Sequence, residues 1–336
     1  MGFAKCSLVE RDSMENILEV KDLKVSFKSY DGLLKVLDGV KLQIRKGEKV
    51  GLVGETGCGK TTTLKAIMKI LARNAIIEDG SILFKDRDII KSRERELKYL
   101  RTKGISMIFQ DPTAALNPVY TLGQQLDYIL LHSGVDHNRK EAALQALHTA
   151  RLPDPERMYE TYPFQLSGGM RQRACIAMAL ATNRDLLLAD EPTTNLDVTI
   201  QDQVLKLLKK LSLERELSLL LITHSLGVAR EVTDRIYIMY AGTIIETDSS
   251  KTLFENPCHP YTKGLLASLP KLTADKMTEG IPGRIPSYLN PPNGCRFNNR
   301  CPYATDRCLK EKPRMFKIDD NHMVACFLFE DGEGQT

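Results

Sequence analysis

The sequence predicts an α/β fold, and three segments carry that prediction. GETGCGKTT spans residues 54–62, LLLADEPTTNLD spans 186–197, and LSGGMRQR begins between them at Leu166. The first follows a short apolar strand and opens a helix, as a glycine-rich phosphate-binding turn must. The second is a buried strand ending in two carboxylates. The third places Ser-Gly-Gly at the start of a helix, where free N–H groups make an anion site.

The elements follow in order. Between Ile17 and Ile44 apolar and polar residues alternate, which predicts antiparallel strands around a turn at Asp31 and Gly32. KVGLVG is a short strand, and TTLKAIMKIL has helical spacing. ISMIFQ is another strand, ending at Gln110. Residues 111–164 form a helical insert, with LGQQLDYILL and KEAALQALHTA its clearest helices. Asp111-Pro112 and Tyr162-Pro163 bracket it, since proline drives its predecessor out of helix. LSGGMRQRACIAMALA is one helix capped by Ser167. LLLAD and LLLIT are buried parallel strands. IYIMYAGTIIET is a hairpin turning at Ala241-Gly242. The expected division is an extension at 1–14, a nucleotide-binding unit at 15–257 and a small loop-rich domain at 258–336.

The 336 residues allow two or three domains. A net charge of +4, with Lys and Arg scattered, gives no basic face for nucleic acid. No apolar run reaches the length that crosses a bilayer. The first residues lack the apolar core of a secretion signal. Cys6 stands where a myristoylation motif needs Ser or Thr.

The chemistry sits at the strand ends. Backbone N–H groups of Gly54, Glu55, Thr56, Gly57, Cys58, Gly59 and Thr62 are expected around the phosphates of ATP. Lys60 adds a point charge, and Thr61 offers a hydroxyl to Mg²⁺. Asp190 ends a buried strand, where a carboxylate needs a cation, and Mg²⁺ supplies it. Glu191 is assigned as the general base that polarises the attacking water. Gln110 can reach Mg²⁺ or that water, and His224 can reach the γ-phosphate.

As an ordered set, these motifs resemble the ATP-binding subunits of ABC transporters over roughly residues 15–257, which implies a P-loop NTPase (ABC ATPase) fold with antiparallel β and helical subdomains. LSGGMRQR is similar to the family's signature motif, TNLD with Asp197 to its D-loop, and His224 to its switch histidine. The resemblance implies a head-to-tail pair of ATPases, formed with itself or a related second chain. Each ATP would be held by one P-loop and by Ser167, Gly168 and Gly169 of the other subunit. Phe27, with Tyr30 as second choice, would stack on adenine. Cys58, Met170 and Ser225 depart from the usual Ser, Gln and Asp. None of these is a charged catalytic group, so an active site is expected, with the Cys58 thiol beside the phosphates.

Eight cysteines in a chain without a secretion signal call for a reason other than disulfides. Cys295, Cys301, Cys308 and Cys326 fall near the end and suggest one tetrathiolate site. Their spacing lacks the tight pairs of structural zinc and favours an iron–sulfur cluster, with Zn²⁺ or free thiols as alternatives. NPCHPYTKGLLASLP and the cysteine segment resemble the oligopeptide/dipeptide branch of ABC importers, which includes nickel importers. That resemblance implies a [4Fe–4S] cluster and ATP-driven peptide uptake. It also implies two membrane-spanning permease subunits, an external binding protein, and a place on the cytoplasmic face of the membrane. His259 and Tyr261 belong to the same segment and are read locally as a turn and helix start.

Overall fold

The computed structural model describes residues 15–194, 196–269 and 280–330. The expected extension at 1–14 lies outside them, as does Asn195 of the D-loop segment. The chain opens with strands β1 (Asn16–Ser29) and β2 (Gly32–Arg45), antiparallel around the expected turn. Alternate buried positions, such as Leu18, Val20, Leu42 and Ile44, face the core. β3 (Lys49–Val53) runs into the phosphate loop and α1 (Lys60–Ile67).

β4 (Ala75–Phe84) and β5 (Arg87–Asp88) complete a four-stranded sheet in the order β2-β1-β4-β5. The sequence reading missed β4 because Glu78, Asp79 and Gly80 interrupt its apolar run. Gly80 sits at φ +97°, and a Cβ there would meet the Leu23 Cα and the Lys21 carbonyl at 2.6 Å. Its pairing with β1 shifts register at that point. α2 (Glu94–Tyr99) then leads to β6 (Ile105–Ile108).

The helical insert holds α3 (Pro112–Ala115), α4 (Leu122–His132), α5 (Arg139–Thr149) and α6 (Pro155–Tyr159). Leu122, Leu126, Leu130 and Leu147 close its own small core against α7 (Gly168–Leu180). β7 (Leu186–Asp190), α8 (Val198–Glu214), β8 (Ser218–Thr223) and α9 (Leu226–Val232) follow. Every residue of β7 and β8 is buried. These strands run parallel to β3 and β6 and are covered on both faces. β9 (Arg235–Tyr240) and β10 (Thr243–Ser249) form the expected hairpin, with Ala241 and Gly242 both at positive φ.

After α10 (Ser250–Glu255), α11 (Pro260–Ala267) and α12 (Asp306–Lys310), the tail forms β11 (Phe316–Lys317) and β12 (Met323–Val324). β12 pairs with β10, so the tail extends the central sheet to β11-β12-β10-β9-β3-β8-β7-β6. Tyr261 and Phe297 pack on Tyr240 with ring centroids 4.7 and 5.1 Å apart. The residues after 257 therefore share both sheet and core with what precedes them.

Candidate nucleotide and thiol sites

The phosphate loop turns at Gly57 and Gly59, with φ of +84° and +108°, which only glycine adopts without strain. A Cβ on Gly54 would meet the Met239 carbonyl at 2.1 Å, so this glycine serves the contact between loop and hairpin. Lys60, buried at the start of α1, donates to the carbonyls of Gly54 and Glu55 at 2.7 and 3.0 Å. Its Nζ lies 4.0 Å from Glu191 Oε1.

Thr61 donates its hydroxyl to Asp190 Oδ1 at 3.1 Å, bringing together two of the residues expected at Mg²⁺. Burial pushes the Asp190 carboxyl above its ordinary pKa. The Thr61 bond opposes this shift and the Glu191 charge adds to it. A divalent cation would relieve that cost.

Glu191 adopts φ +43°, a left-handed conformation uncommon for a side-chain-bearing residue and typical of functional turns. Its Oε2 is 2.9 Å from Thr194 Oγ1, 3.2 Å from His224 Nδ1 and 3.4 Å from Gln110 Nε2. All three predicted catalytic residues therefore meet at one carboxylate. Gln110 sits with Glu191 rather than on the Thr61–Asp190 pair. Thr194 was missed; its signal is a hydroxyl three residues after Glu191, which the turn folds back.

Ser167 caps α7 through its Oγ, which accepts from the Met170 N–H at 3.3 Å, leaving Ser167 and Gly168 exposed. Asp197 caps α8 through the Ile200 N–H at 3.0 Å. Phe27 is half-buried against the core, and Tyr30 is fully exposed in the β1–β2 turn. The Cys58 thiol lies 3.9 Å from Lys60 Nζ, under the loop rather than on its surface. Its side chain is fully buried, and burial pushes its pKa up. The loop turns this position inward, so slow alkylation is expected with or without ATP.

The largest surprise is how the tail grips the phosphate loop. Arg300 holds the Glu55 carboxylate with both terminal nitrogens at 2.8 and 3.0 Å. The Tyr261 hydroxyl accepts from the Glu55 N–H at 3.0 Å, and the Tyr288 hydroxyl donates to the Gly57 carbonyl at 2.7 Å. Arg296 donates to the carbonyls of Ala241 and Lys35. No local pattern announces contacts between residues more than 200 positions apart.

Arg296 and Arg300 each adjoin a tail cysteine. Cys295, Cys301, Cys308 and Cys326 are all free thiols and partly buried. The Cys295 N–H donates to the Cys308 carbonyl at 2.8 Å. Burial raises the Cys295 and Cys326 thiols to about 11 and about 12, and the other tail cysteines add to the shift. Among the described residues, no three of these sulfurs lie within 4.8 Å of one another. Tetrahedral zinc, with Zn–S about 2.3 Å, would hold its sulfurs about 3.8 Å apart.

Family comparisons agree with this geometry. A family profile described as "ABC transporter" matches residues 37–194. One described as "Oligopeptide/dipeptide transporter, C-terminal region" matches 245–308. The oligopeptide transport ATP-binding protein OppD of Bacillus subtilis is 44% identical over 93% of this chain and 88% of its own length. The dipeptide transport ATP-binding protein DppD of the same organism is 45% identical over 94% and 95%. Among solved structures, a dimeric bacterial ABC transporter cassette matches with TM-score 0.63 and 29% identity, over 69% of this chain and 98% of that one.

Proposed function

This chain belongs to the ATP-binding subunits of oligopeptide/dipeptide ABC transporters, and on that premise we propose that it powers peptide import by hydrolysing ATP at the site around Glu191. The observation that carries this reading is the convergence of Lys60, Gln110, Thr194 and His224 on the Glu191 carboxylate, beside the Thr61–Asp190 pair. The two relatives, named for oligopeptide and dipeptide transport, supply the cargo class. They do not favour the nickel or metal-chelate alternative.

Lys60 and the backbone of residues 54–62 bind the ATP phosphates. Thr61 and Asp190 would hold Mg²⁺, which would supply positive charge against that developing on them. Glu191 takes the proton of the attacking water, while His224 and Gln110 orient that water and the γ-phosphate. Ser167, Gly168, Gly169 and Asp197 face the ATP of a partner ATPase in a head-to-tail dimer. Phe27, with Tyr30 as second choice, stacks on adenine. Residues 111–164 pass the motion to two permease chains, which receive peptide from an external binding protein. The assembly lies on the cytoplasmic face of the membrane.

We read the four tail thiols as a [4Fe–4S] site because their spacing in the sequence lacks the tight pairs of structural zinc. Such a cluster would cross-link a loop-rich tail with little core of its own.

The test is Glu191→Gln in cells that depend on this chain. Peptide uptake should stop while nickel uptake is unaffected. The purified variant should hydrolyse ATP at least about 100-fold more slowly yet form an ATP-dependent dimer on a sizing column. Normal turnover would overturn the general-base assignment. Intact peptide uptake with turnover lost would overturn the cargo.

A further inference from the structure

A second cluster of ligating side chains lies away from the phosphate loop, where the tail meets β10. Its centre is His322, 2% exposed and just before β12. Glu246, fully buried on β10, accepts from His322 Nε2 at 2.8 Å. The same carboxylate accepts the N–H groups of Cys258 and His259 at 2.6 and 3.0 Å. Glu246 thereby accepts three hydrogen bonds, and the other ring nitrogen is directed elsewhere.

That nitrogen, Nδ1, faces Asp248 Oδ2 at 3.3 Å and Cys258 Sγ at 4.0 Å. Asp319 joins Asp248 and His322 in a group whose ligand atoms lie within 4.8 Å of one another. Asp248 is 2% exposed, yet its Oδ2 has no hydrogen-bond partner. It sits beside Nδ1 without lying on the N–H axis. Two donors placed side by side in this way converge on a point between them. The charge points the same way: among the described residues, His322 is the only cationic partner of the buried Glu246 and Asp248. A buried excess of carboxylates is costly unless a cation compensates it.

We propose that His322 Nδ1, Asp248 and Asp319 form a three-ligand site for a divalent cation of the zinc class, with water at the fourth corner and Glu246 orienting the imidazole through Nε2. A carboxylate on the distal N–H is the usual support of a metal-bound histidine. A tetrahedral zinc with N and O ligands at about 2.0 Å holds them about 3.3 Å apart, the separation found between Nδ1 and Asp248. Cys258 groups with Glu246 and His322 instead and stays outside this set. One imidazole with two carboxylates is a donor set that suits zinc rather than Ca²⁺. Binding would pin β12 to β10.

The probe is Co²⁺ added to the purified full chain, wild type against Cys258→Ser and Asp319→Asn. Neither altered side chain is deeply buried, and circular dichroism would confirm that each variant folds. The tail cysteines are common to all three proteins and cancel in the comparison. Asp319→Asn should bind one equivalent at least about tenfold more weakly, whereas Cys258→Ser, outside the ligand set, should bind like the wild type. Identical cobalt spectra and stoichiometry in all three would overturn the proposal and leave a buried ion network only.

Discussion

Glu55 shows how much a single residue of the phosphate loop can depend on distant chain. Its side chain is held by Arg300, which is almost wholly buried, and its N–H is held by Tyr261. Breaking a buried pair costs more than breaking a surface one, because the remaining charge stays desolvated. Arg300→Ala should therefore raise the ATP concentration needed for half-maximal hydrolysis. In a double-mutant cycle with Glu55→Gln the pair should couple by about 1–2 kcal/mol. Independent effects of the two changes would show that the tail does not brace the loop.

The β9–β10 hairpin is the element that joins loop, tail and sheet. Gly242 donates its N–H to the Cys58 carbonyl at 2.7 Å and accepts from the Asp38 N–H at 2.9 Å. It sits at φ +82°, and a Cβ there would meet the Val36 carbonyl oxygen at 1.7 Å. Gly242→Ala forces both a strained backbone and a displaced strand. It should destabilise the protein by at least about 2 kcal/mol in denaturant unfolding, with a weaker grip on ATP. Loss of less than a few tenths of a kcal/mol would mean that the turn relaxes freely. The motif strands needed no such help. Their continuous apolar runs made β7 and β8 legible, whereas β4 was hidden by its bulge.

Across the whole molecule, a Cys₄ cluster would tie the loop-rich tail to the two arginines that reach the nucleotide site. Anaerobically purified protein should carry about four irons and four sulfides per chain with brown charge-transfer absorbance. Cys301→Ala should abolish the colour and speed hydrogen exchange around residues 288–300. One zinc per chain with no colour would instead make the tail a zinc fold.

The sequence by itself determined the phosphate loop, the Asp190–Glu191 strand end, the signature helix and where along the chain strands β3 and β6 to β10 fall. Each of these is written in local spacing, because a loop, a cap or a buried strand is built from neighbours in the chain. Tertiary structure alone decided that the tail joins the central sheet and that Arg300, Tyr261 and Tyr288 grip the loop. It also decided that Cys58 faces the core and that His322 meets Glu246, Asp248 and Cys258. Those outcomes depend on which surfaces the hydrophobic core brings together. Pairs as far apart as Arg300 and Glu55, 245 residues, leave no periodic trace in the sequence for a reader to find.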